Sequence, residues 1–333
     1  MKKLRWGVLS TANIGRGAVI PAIQASSNGE LVGVASRDLD RARAFAEGSK
    51  IPRHYGSYEA LLDDPDIDAV YIPLPNGLHK EWSIRAAEKK KHILCEKPLG
   101  LNARECREMQ HAADAHGVKL MEAFMYRFHP RTGRIVEMVR EGLFGPTRVI
   151  RSAFTFRLTR PDNIRLVPAL GGGALMDVGC YCVNVSRTLA GKEPVEAQAW
   201  ARWGQTGVDL WLQGTLRFDE SLFAHFDCGM DMERREVFEV AGTDANATVE
   251  AAYLPGTGPV PIVEHRGRTH TSHEIQGADE YQLMVEHFAE CAQGGGTLRY
   301  SALEAAANMA AIEALYASAR KGGVPVSVAP VTP

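Results

Sequence analysis

A lysine stands where a ligand-binding crevice is expected. Glu96-Lys97-Pro98 directly follows a short apolar run, His92-Ile93-Leu94-Cys95, that is typical of a buried strand. In open α/β sheets, ligands bind beyond the carboxyl ends of the strands, and Pro98 keeps the residue before it out of helical geometry. The Lys97 ammonium would then emerge where the chain turns. An ordinary surface lysine explains these residues equally well, so the rest of the chain must decide.

The turn after the first apolar run could hold the phosphates of a dinucleotide. It reads Ser10-Thr11-Ala12-Asn13-Ile14-Gly15, a Gly-x-Gly-x-x-Gly pattern in which Ser10 and Ala12 replace the first two glycines. A pyrophosphate needs backbone N–H groups at a helix N-terminus, and small residues let the backbone approach it closely. Because the turn lies between the first strand and a helix, we expect a Rossmann cofactor site rather than a structural turn.

The end of the second strand predicts which nicotinamide cofactor is preferred. About 20 residues after the fingerprint, NAD-specific sites place an acid that binds the ribose 2′-hydroxyl. This chain has Ser36-Arg37 there. A guanidinium and a hydroxyl can both bind a 2′-phosphate, which favours NADP over NAD. Asp38 follows at once and could serve an NAD ribose or cap the next helix, so NAD stays open.

A third loop follows the apolar run 69–74 at the same predicted edge. It reads Pro73-Leu74-Pro75-Asn76-Gly77-Leu78-His79, and its prolines make it rigid. With Pro75 in the loop, Asn76 and His79 could hydrogen-bond the nicotinamide ribose. A helix cap followed by an exposed first-turn histidine is the alternative, and these residues alone favour it slightly.

Alternating patterns divide the chain into two domains. From residue 5 to about 122, strand-like runs alternate with helix-like segments, which is typical of βαβ units. Beyond that, strand-like runs follow one another, which predicts an antiparallel sheet; they lie at 147–157, 194–203, 208–218, 222–228 and 235–240, with helices at 174–189, 279–292 and 302–320. We therefore expect an α/β Rossmann domain at 1–122 and an α+β domain with a largely antiparallel open sheet at 123–333. The last helix could pack back on the Rossmann domain.

Composition favours small-molecule chemistry. The 333 residues suit two domains, and the net charge of -2 without long runs of one sign predicts neither nucleic acid nor a membrane as partner. No signal peptide or membrane span is recognisable, so a cytoplasmic protein is expected. The six cysteines form no Cys-x-x-Cys pair, and His265, His270 and His273 lie in a predicted polar hairpin. Neither set predicts a metal site.

Four motifs, taken in order, carry a family resemblance. They are the opening turn, Pro75-Asn76-Gly77-Leu78-His79, Glu96-Lys97-Pro98 and Gly171-Gly172-Gly173-Ala174-Leu175-Met176-Asp177-Val178-Gly179-Cys180-Tyr181. With them the chain resembles, over nearly its whole length, the glucose-fructose oxidoreductase / inositol dehydrogenase / MocA (Gfo/Idh/MocA) family. The resemblance implies NAD(P) in the N-terminal domain, with Glu96 and Lys97 among its contacts, and substrate on the C-terminal sheet. Tyr181 is similar to the branch of glucose-fructose oxidoreductases, NADP-dependent D-xylose dehydrogenases and dimeric dihydrodiol dehydrogenases.

The resemblance implies hydride transfer between the nicotinamide and a sugar or cyclic polyol, such as oxidation of an aldose at carbon 1. Tyr181 suits proton exchange, because a nearby ammonium lowers the pKa of a phenol, and Lys97 suits orienting the substrate and stabilising its oxyanion. The opposite choice of proton carrier stays open. Asp177, four residues before Tyr181, shares its helix face and could bind a substrate hydroxyl or hold Lys97. Arg127 and Arg165 are left outside the catalytic set.

Other functions stay open at this point. They are reduction of a keto sugar such as 1,5-anhydrofructose, oxidation of a trans-dihydrodiol, and a non-catalytic sensor of NADP or sugar. The presence of Lys97, Asp177 and Tyr181 together argues against the sensor, since a pure binder needs no base. Because the family commonly forms dimers or tetramers, a homodimer or homotetramer is expected.

Overall fold

The computed structural model describes residues 3–331, which form two compact units. The first contains the chain up to Met125 together with Asp279–Ala305, and the second contains Tyr126–Ala278 and the chain from Ala306 onward. The first boundary lies close to the predicted one at 122/123. The predicted second domain also contained residues 279–305, which instead belong to the first unit.

Six parallel strands form the centre of the first unit. They are β1 (Leu4–Leu9), β2 (Gly29–Ala35), β3 (Arg53–Tyr55), β4 (Ala69–Ile72), β5 (His92–Cys95) and β6 (Leu120–Glu122). Their order is β3-β2-β1-β4-β5-β6, and all neighbours are parallel. This is the Rossmann order, in which the direction of winding reverses between β1 and β4. All residues of β4 are buried, as expected for a parallel strand covered on both faces. The predicted α/β Rossmann fold is confirmed.

Five helices of the first unit follow its strands, and three of them begin at a residue whose side chain caps the helix. They are α1 (Ile20–Ala25), which continues the π-helical turn Gly15–Val19, α2 (Leu39–Ser49), α3 (Tyr58–Leu62), α4 (His79–Glu88) and α5 (Ala103–His116). The Asn102 side chain accepts from Glu105 N at 2.9 Å, which satisfies an otherwise unpaired amide at the start of α5. Gly117, with φ of 68°, ends the same helix in the left-handed conformation that favours glycine. Both ends agree with the sequence signals.

A nine-stranded sheet forms the second unit. Its elements up to residue 275 are α6 (Pro130–Arg140), β7 (Thr147–Arg157), α7 (Cys180–Ala190) after a π-helical turn at Leu175–Gly179, β8 (Glu196–Trp203), β9 (Asp209–Arg217), β10 (Phe223–Gly229), β11 (Asp231–Gly242), β12 (Asn246–Glu250), β13 (Val260–Arg266) and β14 (Thr269–Ile275). Only β7 and β10 pair in parallel among the neighbours in this sheet, within the described chain. The prediction of a largely antiparallel sheet is confirmed.

The end of the chain divides between the two units. It comprises α8 (Glu280–Ala292), α9 (Ala302–Arg320) and the short β15 (Val326–Ser327), which extends the second sheet beside β8. In the first unit, α8 places the Phe288 ring 5.3 Å from the Trp6 ring. In the second unit, Asn308 of α9 accepts from Arg187 Nη1 at 3.1 Å. The first residues of α9 belong to the first unit, where Ala302 N donates to Gln110 Oε1 at 3.2 Å, and for the rest of this helix the packing on the Rossmann domain stays a prediction.

No helix within residues 3–331 is long and apolar enough to cross a membrane.

Candidate active site

The turn after β1 adopts the conformation that a dinucleotide fingerprint requires. Ser10 has φ of 132°, in the range that favours glycine, although it carries a side chain. Its Oγ donates to Pro73 O at 3.1 Å and accepts from Ala12 N at 3.2 Å. These two hydrogen bonds offset part of the backbone strain, which is of order 1–3 kcal/mol for such a residue. Serine can thus stand where the fingerprint has its first glycine.

The helix that follows the turn offers amides to an anion. Arg16 N donates to Ala12 O at 3.2 Å, which is the first hydrogen bond of this helix. The π-helical turn begins after Ile14, and no side chain caps its N-terminus. Ile14 itself is 39% exposed. The first amides of a helix have no intrahelical acceptor, so they suit a phosphate at this end. The residues predicted to hold the pyrophosphate fit that group.

The end of β2 carries positive charge. Asp38 Oδ1 accepts from Arg41 N at 2.9 Å, so this carboxylate caps α2. Ser36 is buried and its Oγ accepts from Asp38 N at 3.3 Å, whereas Arg37 is exposed. Burial raises the pKa of Tyr58, and the Arg37 and Arg41 guanidinium groups oppose that rise. Arg37 and Arg41 lie close to Tyr58, and the Asp38 carboxylate is engaged as a helix cap, so the two guanidinium groups suit a 2′-phosphate. Sequence reasoning missed Arg41.

His79 is buried, so the alternative of an exposed histidine is wrong, whereas its contact with the cofactor stays a prediction. Its side chain is fully buried, with Nδ1 2.9 Å from Pro98 O and Nε2 2.8 Å from Leu74 O. Burial lowers the pKa of His79, although both carbonyls act in the opposite direction. His79 is buried because α4 begins at this residue and directs the ring under the loop that carries Lys97. Pro75 and Asn76 are half-buried at the start of the 3₁₀ turn Asn76–Leu78, and their cofactor contacts stay a prediction.

The loop that carries Lys97 is held by buried polar side chains. Tyr71 donates its hydroxyl to Glu96 Oε1 at 2.6 Å, and Leu99 N donates to Glu122 Oε1 at 2.8 Å. The Lys97–Pro98 peptide bond is cis. Lys97 itself is half-buried. Its backbone is therefore fixed on both sides, which is the arrangement needed to present one charged group at a strand end.

In the second unit, the glycine run lies directly against the backbone of the preceding loop. Gly173 N donates to Arg165 O at 2.9 Å. A Cβ added to Gly172 would lie only 2.4 Å from the same carbonyl oxygen. Glycine is needed here for space, because a backbone carbonyl cannot move aside as a flexible side chain can.

Asp209 holds the N-terminal end of the segment that carries Asp177 and Tyr181. Its Oδ2 accepts from Leu175 N at 2.7 Å, and its Oδ1 accepts from the Tyr316 hydroxyl at 2.6 Å. Burial raises the pKa of Asp209 to about 6, despite these hydrogen bonds. Sequence reasoning missed this residue, since nothing near it in the chain marks it as a partner of the glycine run.

Asp177 pairs with Arg165. The distance from Arg165 Nε to Asp177 Oδ2 is 2.5 Å. The Asp177 charge raises the pKa of Arg165 most strongly, and Tyr181 acts in the same direction. Asp177 and Tyr181 are four residues apart, a spacing that places both on one helix face. Arg165 was left outside the predicted catalytic set, but it pairs with Asp177, which is in that set.

Aromatic rings surround Tyr181, which is 5% exposed. The centroids of Tyr126, Phe154 and Tyr253 lie 5.8, 5.3 and 5.2 Å from that of Tyr181. Phe154 and Tyr253 stack on each other at 5.0 Å with an interplanar angle of 8°. These three rings and Tyr181 are called the aromatic wall below. Sequence reasoning missed Phe154 on β7 and Tyr253 in the loop after β12, which come close to Tyr181 only when the unit is folded.

The cysteines and the histidines of the β13–β14 hairpin were considered above as metal ligands. All six cysteines are buried. His265 and His270 face each other across the β13–β14 hairpin, and His273 Nε2 lies 2.8 Å from Glu264 Oε2. Over residues 3–331, no group of three or more histidine, cysteine or acidic side chains is arranged to hold a metal ion.

Comparison with known proteins identifies both units. Residues 4–124 match the model of an oxidoreductase family with an NAD-binding Rossmann fold, and residues 133–248 match the Gfo/Idh/MocA C-terminal domain. A D-xylose 1-dehydrogenase (NADP(+)) of Haloferax volcanii is 40% identical over 321 residues, 96% of this chain and 98% of the relative.

Two further relatives broaden the comparison. A trans-1,2-dihydrobenzene-1,2-diol dehydrogenase of Mus musculus is 35% identical over 254 residues, 76% of each chain. The crystal structure of an aldose-aldose oxidoreductase from Caulobacter crescentus with glycerol superimposes with a TM-score of 0.90 at 26% identity, covering 98% of this chain and 100% of that one. The predicted resemblance and enzyme class are confirmed. The chain belongs to the Gfo/Idh/MocA family of NAD(P)-dependent oxidoreductases.

Proposed function

We propose that the enzyme oxidises an aldose at carbon 1 with NADP as the hydride acceptor. The observation that carries this proposal is the 40% identity, over 96% of the chain, to a relative named D-xylose 1-dehydrogenase (NADP(+)). The cofactor choice is further supported by Arg37 and Arg41 beside a carboxylate that caps a helix. A bound 2′-phosphate would be neutralised at this strand end.

Each half of the site supplies one group to the reaction. A nicotinamide held by the first unit would supply the hydride acceptor for the substrate carbon. Tyr181, as the phenolate, takes up the hydroxyl proton, and Lys97 orients the same oxygen and stabilises its developing negative charge. The reverse assignment, with Lys97 carrying the proton, uses the same two groups. Asp177, held by Arg165 at 2.5 Å, binds a substrate hydroxyl with its remaining lone pairs.

Oxidation of a trans-dihydrodiol is the second candidate function. The aromatic wall favours it, because stacked rings such as Phe154 and Tyr253 could pack against an unsaturated six-membered ring. A relative of that name matches 76% of the chain at 35% identity. The wider match to the xylose dehydrogenase makes the aldose the first choice.

A spectrophotometric panel tests the function. Aldoses, inositols, keto sugars and dihydrodiols are offered in both directions with NADP and with NAD. We expect the highest kcat/KM for an aldose with NADP. A dihydrodiol as the best substrate would reject the aldose proposal, and no turnover at all despite tight NADPH binding would indicate a sensor.

Two substitutions test the roles of Lys97 and Tyr181. We expect Lys97→Ala and Tyr181→Phe each to lower kcat by about 10²–10⁴-fold, the usual contribution of a positioned acid or base. NADPH affinity, measured by fluorescence, should be unchanged. Tyr253→Phe is the matched control, since its hydroxyl contacts Cys182 Sγ at 3.7 Å in the same aromatic wall. Near wild-type turnover in both test variants would contradict the mechanism.

Assembly and compartment complete the proposal. A homodimer or homotetramer formed through the sheet of the second unit is supported by Trp200, which is 45% exposed there on β8. Six buried thiols suit the reducing cytoplasm. Light scattering of the purified protein measures the oligomeric state. Fractionation of the source cells measures the compartment.

A further inference from the structure

Glu236 is a buried carboxylate that the proposed reaction does not use. It lies on β11 and is 8% exposed. Its Oε1 forms an ion pair with Arg234 Nη2, whereas its Oε2 is buried and has no hydrogen-bond partner in the described part of the chain. A buried carboxylate oxygen is normally hydrogen-bonded, and an exception calls for a physical reason.

The pairing of β11 with β7 fixes the position of Glu236. It stands opposite Phe154, and it alternates with Phe238 and Val240, which are also buried. The three residues therefore face the inner side of the sheet, where directly opposed side chains have Cβ atoms about 5 Å apart. Phe154 is the ring that contacts both Tyr181 and Tyr253. The Glu236 carboxylate thus borders the aromatic wall around the proposed proton carrier.

The surroundings of Glu236 are rigid. Ala252 N donates to Glu236 O at 3.1 Å, which ties the segment before Tyr253 to β11. The buried Arg131 donates to Glu250 O and Ala251 O, at 2.7 Å each, and fixes the same segment from the other side. A carboxylate beside such a segment is preorganised, because little ordering is needed when a ligand arrives.

The chemistry of these groups is that of a sugar subsite. A carboxylate can accept hydrogen bonds from two neighbouring hydroxyls, and aromatic faces pack against the C–H groups of a sugar ring. We propose that Glu236, with Arg234 at its edge, binds hydroxyls of the substrate at carbons remote from the oxidised one. This inference rests on the proposed function and deepens it: the substrate is polyhydroxylated beyond its reacting carbon, as an aldose is and a dihydrodiol is not.

Steady-state kinetics of Glu236→Gln tests the subsite. With D-xylose, we expect KM to rise about 10–100-fold while kcat changes less than about threefold, since a hydrogen bond to a charged group is lost in substrate binding. With 3-deoxy- and 4-deoxy-D-xylose, wild type and variant should have similar KM values, because the hydroxyl that Glu236 would bind is already missing. NADPH affinity should stay at the wild-type value.

Two further variants separate binding from folding. Glu239→Gln is the matched control, because Glu239 lies on the same strand facing the other way and pairs only at the surface with Arg151 within the described chain; its KM for D-xylose should not change. Glu236→Asp keeps the charge and should give a KM between wild type and Glu236→Gln. An unchanged KM in both Glu236 variants, with or without a fall in Tm, would overturn the subsite.

The two proposals fail in different measurements. If the wild-type enzyme oxidises D-xylose but Glu236→Gln has the same KM, the subsite is wrong and the function stands. If the wild-type enzyme oxidises no aldose, the proposed function is wrong, and the subsite for remote sugar hydroxyls is wrong with it.

Discussion

The two segments that carry the proposed site residues, one in each unit, are held in place by different forces. In the first unit, the Lys97 loop is fixed by hydrogen bonds with the buried side chains of Tyr71, His79 and Glu122. In the second unit, the segment that ends at Tyr181 is fixed mainly by close packing. Its glycines lie against backbone, and Tyr181 is enclosed by aromatic rings. The buried Asp209 carboxylate accepts a hydrogen bond from the N-terminal end of the segment.

This difference follows from what each half presents. A lysine at a strand end leaves backbone amides and carbonyls that need partners, so polar side chains can fix the loop one bond at a time. A phenol on a helix needs no extra backbone partners, and it is positioned by the shape of its surroundings. The polar half should therefore lose function gradually when a partner is removed, and the packed half should fail abruptly when an atom is added.

Adding one carbon to the packed half should have the largest effect. In Gly172→Ala, the new Cβ would meet Arg165 O at 2.4 Å and Val167 O at 3.0 Å, both backbone atoms that cannot rotate away. We expect a loss of about 3 kcal/mol or more in the free energy of unfolding, measured by urea denaturation. Gly133→Ala in α6 is the control, where a Cβ has nothing within 4 Å; it should be neutral or slightly stabilising. A cost below about 1 kcal/mol at Gly172 would mean that packing does not fix this half.

Removing the charge at Asp209 should change how stability depends on pH. Burial raises the pKa of this carboxyl from 3.8 to about 6 in the folded protein. The folded state therefore binds more protons than the unfolded state between these values, and the group's stabilising contribution is complete below pH 4 and lost as pH rises through 6. The loss is up to about 3 kcal/mol.

Asp209→Asn should not show this loss. The difference in unfolding free energy between wild type and variant is measured from pH 4 to pH 7, and we expect the variant to gain on the wild type by up to about 3 kcal/mol across that range. A difference that is constant with pH would contradict the raised pKa and assign Asp209 only a hydrogen-bonding role.

Removing one partner from the polar half should have the smallest effect. His79→Ala takes away the contacts with Pro98 O and Leu74 O. We expect a cost of about 2 kcal/mol in the free energy of unfolding and roughly a tenfold fall in kcat, because Lys97 is less well placed. His111→Ala, an exposed position on α5, is the control. Unchanged turnover in His79→Ala would show that the loop does not depend on this ring.

Much of the architecture was predictable from local signals. The alternation of apolar runs predicted the parallel sheet, and the change after residue 123 predicted the antiparallel one. Caps such as Asn102 and Gly117 marked helix ends because they act on backbone groups within one turn of themselves. The division at the chain end was not predictable, since α8 and α9 differ in which surface they contact rather than in their own periodicity.

The sequence by itself determined the fold class, the family motifs and the residue types at Lys97, Asp177 and Tyr181, because these depend on local pattern. Only the tertiary structure decided that His79 lies beneath a loop, that Asp209 holds a helix end, and that Glu236 borders the aromatic wall. These three roles depend on burial and on partners that are not neighbours along the chain. Local sequence does not encode a contact whose two sides lie far apart in the chain, so the packing of the folded protein assigns it.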